Sequence, residues 1–239
     1  MPEGGGTPSP GTEPPEAPPS GGVSGDGTLD SEALETLYNA NPDQALLTLQ
    51  QQFNIQLPPS FHFAFAYHNS GLFVSSGGIE PRGAVFWFFD FNWITISDPS
   101  IRDCSGIRNP RTDPNQISYI ASSVFITDKA FTAYDFRPDD VAATMIHEAV
   151  HAYQQAVARD KFINGTNNFG FNPYGDVPTF DWFNDYRAGM ERQASEIVIQ
   201  AHNSGRIQMS TVRESFERRN LNGNRRGEDF PFALPSGVP

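Results

Sequence analysis

The chain has 239 residues, with 16 Lys and Arg against 28 Asp and Glu, and a formal charge of -12. Such a negative field repels phosphate backbones and anionic headgroups, which argues against nucleic-acid and membrane-surface partners. A single cysteine, Cys104, excludes an intrachain disulfide and a cysteine-based zinc knuckle, and no run approaches the roughly 18 apolar residues of a membrane span.

Residues 1 to 27 are rich in Pro, Gly, Ser, Thr and Glu and nearly devoid of large apolar side chains. Such a segment cannot bury enough surface to offset its ordering entropy, so it reads as a flexible linker. It lacks the basic and apolar regions of a signal peptide, which leaves the compartment open; carriage within a larger exported protein is one expectation. Residues 28 to 220 are expected to form one domain, within the usual size range.

Leu29, Leu34 and Leu37 predict a short helix near 30 to 39. Asn41 as a cap, Pro42 at the first helical position and Asp43 at the positive end of the dipole predict a second near 42 to 53. Between 60 and 134 the segments FHFAFAYH, AVFWFF, WITIS and SVFIT are aromatic and β-branched and are separated by turn residues, which predicts a sheet of four or five strands. Phe86 to Phe89 read as sheet core.

Pro138, Asp139 and Asp140 open the strongest helical pattern, VAATMIHEAVHAYQQAVA, placed at 138 to 159. A polar Gly- and Asn-rich stretch from 161 to 178 leads to a second long helix at 180 to 203, stopped before Gly205. Thr211 and Glu214 read as a capping box for a last helix at 211 to 220. Residues 221 to 239 look irregular, and Phe230, Phe232 and Leu234 make this tail a candidate autoinhibitory strap.

His147-Glu148-Ala149-Val150-His151 is an HExxH motif inside that helix. Histidines four residues apart stack on one face, so both imidazoles can reach one zinc ion at about 2.0 to 2.1 Å. Glu148 lies one residue round, placed to take a proton from a zinc-bound water and hand it to the leaving amine. This pattern points to peptide hydrolysis. His62 and His68, in the strand region, are expected to have no metal role, and Gln154 and Gln155 read as helix-surface amides.

A catalytic zinc needs a third protein ligand. The metzincin pattern would require glycine at 154 and histidine at 157, where the chain has Gln154 and Val157; the aspzincin pattern fails because Phe169 stands where an aspartate is required. That leaves Glu191 or Glu196 on the next helix, about 140° apart around its axis, so that only one can face the metal. For the developing oxyanion, Tyr186, Tyr174 and His202 are candidates. His202 lies about 16 Å beyond Glu191 along a helix, which makes it a poor one.

Glu191-Arg192-Gln193-Ala194-Ser195 resembles the second helix of gluzincins, Glu-x-x-Ala-Asp, except for the serine in last place. With HEAVHAYQQ, the chain is similar to small bacterial gluzincin-type HExxHxxQQ domains, often linked to exported or toxin proteins; the resemblance covers roughly residues 115 to 203. It implies an α+β, zincin-like fold, with a mixed twisted sheet packed on an active-site helix and a helical C-terminal subdomain. It implies Glu191 as the third zinc ligand, and Ser195 in the place of an aspartate that supports a metal-bound histidine. The implied activity is that of a monomeric zinc metalloendopeptidase acting on proteins or peptides, as a secreted protease or as a toxin or effector module behind the linker. Ser195 also gives weight to the alternative of a catalytically degenerate zincin-fold binding or structural module.

Overall fold

The computed structural model describes residues 28–69, 81–85, 119–120, 122–160, 180–224 and 227–238. Tyr174, the linker over 1 to 27, the WITIS segment and the Phe86 to Phe89 cluster lie outside them.

Two capped helices lead in. Helix α1, Ser31–Ala40, starts at Asp30, whose carboxylate accepts from the Ala33 amide. Asn41 ends α1 and caps α2, Pro42–Gln52, by accepting from the Gln44 amide. One residue thus sets both boundaries. Leu34, Leu46 and Leu49 from these helices are fully buried in the main core.

Strand β1, His62–Ala66, runs parallel to β3, Ser123–Thr127, and β2, Gly83–Val85, pairs antiparallel with β3, giving the order β1-β3-β2. The central strand is buried at all five positions, which is why its middle, Val124, Phe125 and Ile126, is a continuous apolar run rather than alternating. Among the described residues the sheet has three strands rather than four or five. The region expected to be strand also ends early. Thr127 accepts from the Lys129 amide and starts a one-turn helix, α3, Asp128–Thr132.

Helix α4, Pro138–Arg159, is the centre of the fold. Val141, Ala142, Met145, Ile146 and Ala149 are completely buried, and the helix packs against α2, α3, β2, β3 and a second long helix, α5, Phe180–Asn203. Each buried large aliphatic side chain contributes ~1.5–3 kcal/mol, so this helix is rigidly held. Gly205, at φ 78°, ends α5 in the left-handed conformation that glycine adopts without strain.

The last helix, α6, Thr211–Gly223, is capped by Ser210, which accepts from the Arg213 amide. The cap is therefore one residue before the expected Thr211, and the helix runs three residues past the expected end. Its position is fixed by the first turn of α4, where the Asp139 carboxylate accepts from the Gln208 amide at 2.6 Å and that of Asp140 from the Ser210 amide at 2.8 Å. Beyond α6 the chain is irregular but packed. Phe230 is buried, and Arg192 donates to the Asn224 carbonyl and pairs with Asp229.

The fold is thus α+β, with six helices and one small mixed sheet among the described residues. No described helix is long and apolar enough to cross a membrane.

Candidate metal centre

On α4 the rings of His147 and His151 lie one turn apart and meet edge to face at 73°, with centroids 4.9 Å apart. Across the groove α5 presents Glu191. Its Oε2 lies 3.3 Å from His147 Nε2 and its Oε1 3.8 Å from His151 Nε2. One ligand atom from each of the three residues falls within 4.8 Å of the others. Donors bound tetrahedrally to one zinc at about 2.05 Å would be about 3.3 Å apart, so the set fits such an ion after small side-chain adjustments. The two imidazoles are 8 % and 12 % exposed and Glu191 30 %, leaving access from the carboxylate side. Glu196 is exposed on another face of α5; of the two glutamates, Glu191 joins the histidines.

Glu148 stands beside this cluster, against strand β2. A Cβ on Gly83 would lie 2.4 Å from its Cγ and 2.9 Å from its Oε1, so glycine at 83 is what admits the carboxylate. Burial pushes the Glu148 carboxyl above the ordinary carboxylate range, although His151 and His147 pull the other way.

Both imidazoles are oriented from behind, by different chemistry. His151 Nδ1 lies 2.8 Å from Gln154 Oε1, and Gln154 Nε2 donates to the Met190 carbonyl at 3.1 Å and to Gln193 Oε1 at 2.8 Å. Gln154 and Gln155 are buried, not surface amides as expected. An i, i+3 amide turned towards a histidine on a buried face was a legible signal, given a model of which face was buried.

His147 Nδ1 faces a carboxylate from α6, Glu217 Oε2, at 3.3 Å. The sequence reading missed Glu217, because nothing local marks a glutamate 70 residues downstream. Ser195 does not take the aspartate's place itself; its hydroxyl helps to lower the Glu217 carboxyl. The second oxygen of Glu217 pairs with Arg213 one turn earlier. Asn220, one turn later, donates to Glu191 Oε2 at 3.2 Å and to Ser195 Oγ at 3.3 Å.

Without a metal this cluster shares protons. Burial pushes His147 down, but the Glu217 and Glu191 carboxylates outweigh it and raise the imidazole to about 10. Burial likewise opposes ionisation of Glu217, yet His147 and Arg213 hold it at about 2. Glu191 is held well below the ordinary carboxylate range by its hydrogen bonds to the two histidines, against burial.

The remaining candidates have the following partners. Tyr186 hydrogen-bonds Glu228 of the tail. His202 closes the end of α5, where its Nδ1 lies 3.3 Å from both the Ile207 carbonyl and the Met209 amide. His62 meets Ser123 at 3.2 Å and His68 pairs with Asp128 at 2.7 Å, so neither belongs to the cluster. Compared with protein-family models, with curated proteins and with solved structures, the chain matches none.

Proposed function

We propose that this chain is a zinc-dependent metallopeptidase of zincin-like, gluzincin-type architecture, with His147, His151 and Glu191 as metal ligands and Glu148 as general base. One observation carries the reading: two imidazole nitrogens and a carboxylate converge from α4 and α5, with a second carboxylate beside them on the same face. Zinc bound there supplies Lewis-acid polarisation of a peptide carbonyl and lowers the pKa of a water.

The protein's own groups do the rest. Glu148 accepts the proton of the attacking water and returns it to the leaving amine, a role favoured by a carboxyl whose pKa lies above the usual range. Gln154 and Glu217 sit at the Nδ1 atoms of His151 and His147, an arrangement that would leave each Nε2 free to hold a zinc ion. Strand β2 ends the described sheet and adjoins Glu148 through Gly83. An extended substrate paired to this strand would bring its backbone past the base.

Metal analysis of purified protein tests the first half of the reading, with one zinc per chain expected. Replacing Glu148 by Gln tests the second: zinc content stays at one per chain while hydrolysis of an unfolded protein substrate falls by ~10²–10⁴. Full activity in that variant removes Glu148 from the role, and a chain that takes up no zinc removes the reading altogether.

A further inference from the structure

Helix α6 is polar around most of its circumference; of its apolar residues, Val212 is exposed. A helix of that composition does not dock by burying an apolar stripe. Yet it buries Arg213 and Glu217, which are 2 % and 0 % exposed. Arg213, Glu217 and Asn220 are spaced i, i+4 and i+7, which puts them in one row. Each member of that row has a defined partner on the metal-binding helices.

Arg213 anchors the row. It donates to Thr144 Oγ1 at 2.9 Å and to the Tyr134 hydroxyl at 3.3 Å, and its guanidinium lies over the Tyr134 and Phe216 rings. Thr144 is three residues before His147 on α4, so the clamp sets the height of α6 one turn below the first ligand. Glu217 is then level with His147 Nδ1. Both of its oxygens are used, one by Arg213 and one by the imidazole. Asn220 completes the row by donating to Glu191, and its own Oδ1 accepts from Asn224 at 3.2 Å, which orients its amide group.

We propose that α6 is the positioning helix of the metal centre: Glu217 fixes His147, Asn220 fixes Glu191, and Arg213 holds the Glu217 carboxylate in place from a buried position. This rests on the metal-site reading above but not on the reaction assigned to it. The three are positioning residues, acting on the ion through two of its ligands. Ser195 is part of the arrangement, because the larger aspartate of the gluzincin pattern would enter the space where Ser195 meets Glu217 and Asn220. In this chain the carboxylate behind His147 comes from α6. Partners that orient a metal-bound histidine are worth 10–100-fold in metal affinity.

The test is zinc affinity by competition with a chromophoric chelator, on the full chain, with cobalt(II) absorption as a report of ligand geometry. Glu217→Gln is expected to weaken zinc binding 10–100-fold and to alter the cobalt spectrum, while its metal-free circular dichroism matches wild type. Introducing Ser195→Asp into Glu217→Ala returns a carboxylate to the vacated space from α5 and is expected to recover part of the affinity. If Glu217→Gln fails to fold, nitrogen-15 histidine NMR of the zinc-loaded wild type decides. A His147 Nδ1–H protected from exchange, with Nε2 on the metal, supports the proposal, and metal on Nδ1 overturns it. Wild-type affinity in a folded Glu217→Gln also overturns it while leaving the metal site standing. A wild type that binds no zinc removes the metal site and this role together.

Discussion

Replacing Gly83 by alanine probes the proposed base, Glu148, without touching a proposed metal ligand. The added methyl carbon would lie 2.4 Å from Cγ, 2.8 Å from Cδ and 2.9 Å from Oε1 of Glu148. Carbon atoms at rest are about 3.5–4.0 Å apart, so the Glu148 side chain must withdraw by roughly 1 Å or more. The backbone of β2 is held by its pairing with β3, so the flexible side chain is what yields. A misplacement of ~1 Å at a reacting group costs about 10²-fold in rate. In steady-state hydrolysis of a quenched peptide, Gly83→Ala is therefore expected to lower kcat about a hundredfold with KM little changed. Zinc stays at one per chain, because the clash falls on Glu148. Turnover at the wild-type rate by a folded, zinc-loaded Gly83→Ala protein would refute the placement of Glu148 as base against β2.

Other consequences are as direct. Glu191→Ala is expected to lower zinc affinity by at least tenfold, whereas Glu196→Ala, on an exposed position, leaves it unchanged in the same chelator competition. With His147 raised to about 10, its proton stabilises the metal-free fold fully below the unfolded pKa of about 6.5, and that contribution is lost as pH rises towards 10. Zinc must displace the same proton. Uptake therefore strengthens with rising pH across that window, and calorimetry in buffers of different ionisation enthalpy reads the proton release. Zinc at a thousand times its dissociation constant adds about 4 kcal/mol, or ~8–16 °C in melting temperature for a chain of this size. A Cβ at Gly189 would fall 1.9 Å from the Glu228 carbonyl, so Gly189→Ala pushes the tail off α5. It is expected to cost ~1–3 kcal/mol by urea denaturation.

Local rules wrote much of this protein into its sequence. Caps and a proline at the first helical position delimit α2, periodicity and a proline delimit α4, and Gly205 stops α5. The HExxH spacing put two imidazoles on one face, since four residues are about one helical turn whatever surrounds the helix. The pattern Glu-x-x-Ala preferred Glu191 to Glu196, the choice that the geometry of α5 repeats.

Only the tertiary structure decided what stands behind those side chains. Glu217 lies 70 residues from His147, and their meeting depends on Asp139 and Asp140 tying down the loop before α6 and on Arg213 reaching Thr144. The burial of Gln154, the approach of Gly83 to Glu148 and the packing of the tail on α5 arise in the same way, from contacts between distant segments. Periodicity and capping report the environment within a turn or two of a residue. Which polar side chains end up sharing a proton or an ion is set by how whole helices dock, and that information resides in no single window of the chain.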